Sequence, residues 1–201
     1  ETEEVTALFR DLLISVTNFF RDANAFQALE QQVIPEICRG RDGKNPIRIW
    51  VPACTTGEEV YSLAILVREY LEAEGLSVPV QIFATDIDDR ALSVARHGRY
   101  PEQLLGQVST ERLSRFFNKD GASYVVSKKI REMCIFSPHN VISDPPFSRM
   151  DLVSCRNLLI YFGADLQRQI IPTFHYALKP GSYLFLGTSE SISQFGALFR
   201  T

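Results

Sequence analysis

The chain alternates short apolar runs with helical patterns, and this alternation restricts the possible folds more than any other feature. The run IRIWV at 47–51 is rich in β-branched residues, and an apolar stripe at helical spacing follows it from Val60 to Leu71. The run VQIFATD at 80–86 precedes a second helical pattern, DDRALSVARHG. Strands that alternate with helices predict right-handed βαβ units and a mostly parallel sheet with helices on both faces.

The rest of the chain continues this alternation less regularly. Phe26, Leu29, Val33 and Ile37 predict a helix that Pro35 kinks or shortens. Further helices are predicted in STERLSRFF and ADLQRQIIPTFHYAL. Strands are predicted in SYVVSKKIRE, MCIFSPHNV, DLVSC and KPGSYLFLGTSE. The fold class is therefore α/β with a Rossmann-like sheet.

Composition limits the number of domains and the class of partner. The chain has 201 residues, of which 45% are hydrophobic, so we expect one principal domain. The formal charge is −3, which does not favour binding to nucleic acid. No apolar run reaches the roughly 20 residues needed to cross a bilayer. We therefore expect a cytoplasmic protein without membrane insertion.

The cysteines and histidines are too widely spaced to predict a metal site. Cys38, Cys54, Cys134 and Cys155 form no CxxC pair and have no histidine at zinc-ligand spacing. We interpret them as free thiols. The charged start ETEEV and the abrupt end FRT predict a domain that belongs to a longer protein.

Two acidic positions at strand ends predict the chemistry of a ligand. Small residues in the turn that begins at Ala53 would let the backbone approach a ligand, and Glu58 and Glu59 open the next helix. Carboxylates at a helix start offset its attraction for anions, which favours a cationic ligand, although simple helix capping is an alternative. Asp86 ends the second strand, where an acid can hold a ribose, while Asp88 is the expected cap of the following helix. Together these features predict a site for S-adenosylmethionine.

The chain resembles a known family in several segments. These are VTNFFRD at 16–22, RIWVPACTTGEEVYSLA at 48–64, FATDID at 83–88, DLVSCRNLLIYF at 151–162 and LKPGSYLFLGTSE at 178–190. In this order they are similar to the CheR family of chemoreceptor glutamate methyltransferases, which are class I methyltransferases.

The resemblance implies roles for individual residues. Catalytic roles are implied for Arg21 and Tyr161. Cofactor contacts are implied for Thr17, Arg21, Ala53, Glu59, Asp86, Asn140, Val141, Arg156 and Asn157. The chain departs from the family pattern at Ser15, where asparagine is frequent, and at Val60, where proline is typical.

The resemblance also implies the domain layout and the partners. Residues 1–45 would form a helical connecting segment, and 46–201 the methyltransferase domain with a small β insert at about 120–137. The N-terminal helical domain of the family and its final strand would be absent. The implied reaction methylates glutamates of a chemoreceptor cytoplasmic domain, or of another signalling protein, and yields S-adenosylhomocysteine.

The charges of this reaction predict which residue types it needs. A glutamate with a pKa near ~4.3 is already ionised at neutral pH, so no strong general base is required. Arg21 would orient the acceptor carboxylate, and Tyr161 would donate one hydrogen bond to it. The alternative interpretation of Tyr161, within the apolar run LLIYF, is core packing.

Other functions remain open from the sequence. SDPPF at 143–147 resembles the motif of DNA amino-group methyltransferases but precedes the run DLVSC instead of following it. GTSES at 187–191 lacks the last glycine of a nucleophile elbow. The domain could also bind S-adenosylmethionine or a partner without catalysis inside a sensor protein. Lys128, Lys129 and Arg131 could meet an acidic receptor tail or form a solvated strand face.

Overall fold

A computed structural model describes residues 17–41 and 43–200. The α-helices are α1 (Ala23–Ala28), α2 (Ile34–Cys38), α3 (Glu58–Ala73), α4 (Asp89–His97), α5 (Thr110–Phe116), α6 (Lys128–Arg131) and α7 (Ala164–Ala177). The strands are β1 (Ile47–Pro52), β2 (Val80–Asp86), β3 (Arg99–Pro101), β4 (Phe117–Asp120), β5 (Ser123–Val126), β6 (Cys134–Pro138), β7 (Met150–Cys155) and β8 (Leu178–Leu186). None of the described helices is long and apolar enough to span a membrane.

The main sheet has five strands in the order β6-β2-β1-β7-β8, and every pairing in it is parallel. The predicted α/β class with a mostly parallel sheet is thus confirmed. The chain builds outward from β1 to β2 and β6, and then returns to the other side of β1 with β7 and β8. In sheets of this kind a ligand crevice lies beyond the carboxyl ends of the strands, where the order reverses.

Helices cover both faces of the sheet because successive strand residues point to opposite sides. On one face Ile49 and Val51 pack in a core with Leu63 of α3. On the other face Trp50 packs in a second core with Phe174 of α7. Burial on both faces explains why Ile49, Trp50 and Val51 are three apolar residues in a row.

The small β insert differs from the prediction. A separate antiparallel sheet has the order β3-β5-β4 and therefore lies between 99 and 126, earlier than the predicted 120–137. β6 belongs instead to the main sheet, where it pairs with β2. The single long strand predicted for SYVVSKKIRE is wrong, because only Ser123–Val126 is extended and Lys128–Arg131 forms α6. Lysine and arginine favour helix, and one turn is enough to bury Ile130.

The helix predicted around Pro35 forms, but its apolar stripe shifts. A π-helical turn, Leu29–Val33, joins α1 to α2 directly before Pro35. Proline has no N–H to donate to the preceding turn, and a wider turn accommodates it. The wider turn brings Ile34 into the core in place of the predicted Val33, which is only half-buried.

Asp151 connects the amino-terminal ends of the strands, on the side of the sheet opposite the cavity. It is 3% exposed, and its carboxylate accepts hydrogen bonds from Arg41 Nη2 at 2.5 Å, Lys179 Nζ at 2.6 Å and the Arg48 backbone N–H at 2.8 Å. These donors belong to β1, to β8 and to the loop before β1. A buried carboxylate with this many charged and backbone donors is well compensated.

Candidate active site

A cavity of about 500 Å³ opens at the carboxyl ends of β1, β2, β6 and β7. This volume is typical of a small-molecule site. The residues predicted for the site come from separate segments of the sequence, and all of them line this cavity. They are Thr17, Arg21, Ala53, Glu59, Asp86, Asn140, Val141, Arg156, Asn157 and Tyr161. The structure brings these residues together, while the role of each one stays a prediction.

The turn between β1 and α3 holds a strained backbone against the cavity. Ala53 and Thr55 have φ of 53° and 47°, a region that residues with side chains rarely adopt. Gly57 has φ of 93°, and a Cβ there would lie 2.9 Å from Ala95 Cβ, so only glycine fits. The Cys54 N–H donates to the Thr85 carbonyl at 3.0 Å, which fixes the turn on β2. Strain of this kind concentrates at ligand sites.

Asp86 completes the same wall. Its two carboxylate oxygens accept from the Thr55 N–H at 2.8 Å and the Asp88 N–H at 2.9 Å. Asp88 in turn caps α4 by accepting from the Arg90 N–H, as predicted. Asp86 is therefore fixed by the backbone beside the cavity, and each of its oxygens keeps a further lone pair that a ligand hydroxyl could use.

Glu59 is a second acidic residue of the cavity, and it is held by Ser154 and Arg156. Its side chain is 15% exposed, its Oε1 accepts from Ser154 Oγ at 2.7 Å, and its Oε2 lies 3.5 Å from Arg156 Nη1. Burial raises the pKa of Glu59 to about 6, while Arg156 and the Ser154 hydroxyl oppose that rise. At neutral pH the group is an anion that has lost much of its water, which suits a cationic ligand.

Arg156 is completely buried between two acids. Its Nη2 contacts Asp22 Oδ2 at 2.6 Å, and its guanidinium lies over the rings of Phe26 and Phe185. Its Nε and Nη1 have no hydrogen-bond partner among the described residues, so the group keeps unused donors. Arg156 therefore links the segment that carries Arg21 to the carboxylate of Glu59.

The turn after β7 carries Asn157 and Tyr161. Asn157 has φ of 60°, and its N–H donates to Glu190 Oε2 at 2.9 Å. Tyr161 is 60% exposed at the cavity mouth, so its interpretation as a core residue is wrong. The apolar run LLIYF contributes Leu159 to the second core, while Ile160 and Tyr161 are exposed and line the cavity.

The SDPPF segment follows Asn140 and Val141, which line the cavity, and supports them from outside it. Asp144 Oδ2 accepts from the Asn140 N–H at 2.8 Å, and this contact lowers the pKa of Asp144. Phe147 packs against Trp50 with a centroid distance of 5.3 Å. Asp144 and Phe147 thus both have structural partners, and neither is among the residues that line the cavity.

Sequence reasoning missed several residues that support the site. Asp22 contacts Arg156, Ser154 contacts Glu59, and Glu190 and Gln167 contact the turn after β7. Ser154 is a polar residue near the carboxyl end of β7, where ligand-binding residues are expected, and this could have drawn attention to it. The other supporting residues have no such local signal.

A family model described as CheR methyltransferase, SAM binding domain, matches residues 15–201. The chain belongs to the CheR methyltransferase family. A 104.1 kDa uncharacterised protein of Rhodobacter capsulatus is 41% identical over 95% of the chain, which covers 20% of that protein. Chemotaxis protein methyltransferase 1 of Pseudomonas aeruginosa is 39% identical over 88% of the chain, and the match covers 66% of the relative. The CheR domain thus spans a fifth of the first relative and about two thirds of the second.

Comparison with solved structures supports the fold. The citrinin polyketide synthase CMeT domain matches 87% of this CheR domain with a TM-score of 0.52 and 17% identity, and the match covers 38% of that chain. Together with the family match, this agrees with the observed α/β sheet.

The residues of the cavity fit S-adenosylmethionine, the cofactor of this CheR domain. The strained turn from Ala53 to Gly57 leaves backbone open to a ligand, and Glu59 offers a buried anion for an ammonium group. Asp86 keeps lone pairs for ribose hydroxyls. Site chemistry and family membership therefore agree on the cofactor.

Proposed function

We propose that this domain transfers the methyl group of S-adenosylmethionine to glutamate side chains of a chemoreceptor cytoplasmic domain, or of another signalling protein in the cytoplasm. The observation that carries this proposal is the convergence of Arg21, Glu59, Asp86, Asn157 and Tyr161 on one cavity of suitable size. When bound, the cofactor supplies an electrophilic methyl on a sulfonium, and its transfer to a carboxylate yields a methyl ester and S-adenosylhomocysteine.

The titratable groups around the cavity favour a carboxylate acceptor over an amine or a hydroxyl. A protonated amine or a hydroxyl needs a base, whereas a carboxylate is already ionised at neutral pH. Burial raises the pKa of the Cys54 thiol well above its ordinary value, so this group stays protonated. His139 is also poorly placed to act as a base. Its Nε2 lies 3.0 Å from the Pro145 carbonyl, to which it can donate, and its Nδ1 is buried without a partner among the described residues.

In this proposal each charged residue has a defined task. Glu59 holds the cationic amino group, and Asp86 holds the ribose. Arg21 attracts and orients the acceptor carboxylate, and Tyr161 directs its approach by one hydrogen bond from the cavity mouth. Arg156 keeps Glu59 ionised, since an adjacent cation lowers the pKa of a buried acid.

The test is methyl transfer from labelled S-adenosylmethionine to receptor cytoplasmic fragments. We expect base-labile label that is released as volatile methanol, which identifies a carboxyl methyl ester. Receptor fragments with glutamine at the acceptor positions provide the matched control and should lose the label. Stable binding of S-adenosylhomocysteine with no volatile label on any receptor fragment would instead support a non-catalytic binding module.

The basic segment Lys128, Lys129 and Arg131 is a weaker candidate for receptor contact. Lys129 pairs with Glu72 at 3.3 Å and Lys128 with Glu132 at 3.6 Å, so both charges have partners on the protein surface. Exposed pairs of this kind contribute little to stability and exchange readily for other partners. If the contact forms, removal of the charges at Lys128 and Lys129 should weaken receptor binding in a salt-dependent way. A receptor affinity that the substitutions leave unchanged would exclude it.

A further inference from the structure

The turn at 157–162 carries two of the predicted site residues, Asn157 and Tyr161, on a short stretch of irregular backbone. Asn157 is left-handed, and only a single 3₁₀ turn, Leu159–Tyr161, follows it. Such a segment has few regular backbone hydrogen bonds of its own. Its precise position must therefore come from other parts of the chain.

Glu190 holds the start of this turn. Its Oε2 accepts from the Asn157 N–H at 2.9 Å and from the Gly187 N–H at 2.7 Å, and its Oε1 accepts from the Leu159 N–H at 2.7 Å. The fit is close, because a Cβ at Gly187 would lie 2.8 Å from Glu190 Oε2. A carboxylate is suited to this task, since it is acceptor-only, with room for several donors.

Gln167 of α7 holds the end of the same turn. Its Nε2 donates to the carbonyls of Leu159 and Phe162, both at 3.0 Å. The backbone N–H of Leu159 is thus bound by Glu190 and its carbonyl by Gln167. The two side chains approach the turn from different elements and with complementary hydrogen-bonding groups.

We propose that Glu190 and Gln167 are positioning residues that together fix the turn at 157–162. The pair, named the turn clamp, positions Asn157 to contact the cofactor and Tyr161 to contact the acceptor. The part that concerns Asn157 depends only on cofactor binding. The part that concerns Tyr161 rests on the proposed methyl transfer.

The substitution Glu190→Gln tests the clamp with little change in volume. An amide has one acceptor oxygen, and its NH2 group would face a backbone N–H that it cannot bind. Gln167→Glu is the complementary change, because a carboxylate would face two carbonyl oxygens. Glu132→Gln and Gln169→Glu are matched controls on the surface, and both should behave as the unmodified protein.

The first readouts do not require turnover. For Glu190→Gln we expect about a tenfold loss of S-adenosylhomocysteine affinity by calorimetry, in line with the loss of charge-assisted hydrogen bonds. We also expect faster amide hydrogen exchange in the peptide covering 157–162, with exchange in β1 unchanged. An affinity within twofold of the unmodified protein, or exchange that rises equally in β1, would overturn the proposal.

The second readout asks whether the clamp acts through Tyr161. In a double-mutant cycle, Glu190→Gln should lower the rate of methyl transfer much less when Tyr161→Phe is already present, because the two changes remove the same contribution. If the losses of rate caused by the two substitutions add in the double mutant, the proposal that the clamp acts through Tyr161 is overturned. If the unmodified protein methylates no receptor, the proposed function fails, and the affinity and exchange measurements still decide the clamp.

Discussion

The two sides of the cavity are held in place by different forces. The side formed by β1, β2 and the turn at 53–57, the cofactor side, is held by backbone hydrogen bonds and by the steric fit of Gly57. The side formed by Arg21 and the turn at 157–162, the acceptor side, is held by charged and amide side chains such as Asp22, Arg156 and Glu190. The backbone position of the cofactor side should therefore be sensitive to shape, and that of the acceptor side to changes in the charged and amide side chains that hold it.

Replacement of Arg21 should have the largest effect and should separate the two sides. We expect Arg21→Ala to lower the rate of methyl transfer by about 100-fold to 1000-fold, because substrate orientation and electrostatic stabilisation contribute at this level. Affinity for S-adenosylhomocysteine should change far less in titration calorimetry. Arg21→Lys is the control that keeps the charge and loses the planar group. Equal losses in turnover and affinity would contradict the assignment of Arg21 to the acceptor side.

Glu59→Gln should weaken cofactor binding by about 10-fold to 100-fold, since hydrogen bonds to charged groups contribute roughly 1.5–3 kcal/mol. Calorimetry with S-adenosylhomocysteine measures this change. Glu58→Gln is a matched control, because Glu58 is adjacent and buried but is not among the residues that line the cavity, and its carboxylate accepts from Thr56 Oγ1. Similar losses for both variants would show that helix stability, and not a cavity charge, determines the affinity.

Gly57→Ala tests the steric character of the cofactor side. The left-handed backbone and the contact with Ala95 Cβ predict a loss of about 2–3 kcal/mol in the free energy of unfolding. Gly75→Ala is the control, because Gly75 has φ of 62° but open space around its Cβ position. The difference between the two variants, measured by denaturant unfolding, isolates the clash. Equal destabilisation of the two variants would mean that the left-handed backbone causes the loss and that the contact with Ala95 Cβ adds nothing to it.

The pH dependence of binding should follow Glu59. Because burial raises its pKa to about 6, the carboxylate is ionised at pH 7 and largely protonated at pH 5. Affinity for S-adenosylhomocysteine should therefore fall by roughly tenfold between pH 7 and pH 5. Glu59→Gln should remove this dependence, and a pH profile that survives the substitution would assign the effect to another group.

The same shift has an opposite consequence for stability. A carboxylate whose pKa is raised on folding contributes stability below its unfolded value of 4.5, and this contribution disappears as the pH rises through about 6. The free energy of unfolding of the cofactor-free protein, compared with that of Glu59→Gln, should therefore decline over this interval. As the pH rises from 5 to 7, ionisation of Glu59 should therefore strengthen S-adenosylhomocysteine binding and lower the free energy of unfolding of the cofactor-free protein.

The sequence could place the residues of the cofactor side beside one cavity because their signals are local. The strand at 47–51, the small turn and Glu59 follow each other directly, and Asp86 stands at the next strand end. β-branched runs and helical spacing also predicted most elements of the main sheet. Here the resemblance to the CheR family and the local chemistry indicated the same residues.

The supports of the acceptor side could not be predicted in this way. Asp22 and Arg156 are separated by 134 residues, and Glu190 lies 31 residues after Leu159. No periodicity connects such pairs, because only the folded sheet brings them together. The strand predicted across SYVVSKKIRE failed for a related reason. Its β-branched start indicated a strand, while the tertiary structure uses the following residues as a helical turn.

Asp151 lies at the amino-terminal ends of the strands, remote from the cavity, where it accepts hydrogen bonds from Arg41, Arg48 and Lys179. Damage to this anchor would lower the amount of folded protein in a cell without altering the chemistry of each folded molecule. A loss of activity in the cell caused there would reflect abundance, and purified folded protein from such a mutant should keep its normal activity. The contacts of Asp151 and the residues of the cavity thus lie at opposite ends of the same strands, so a mutation can impair one without the other.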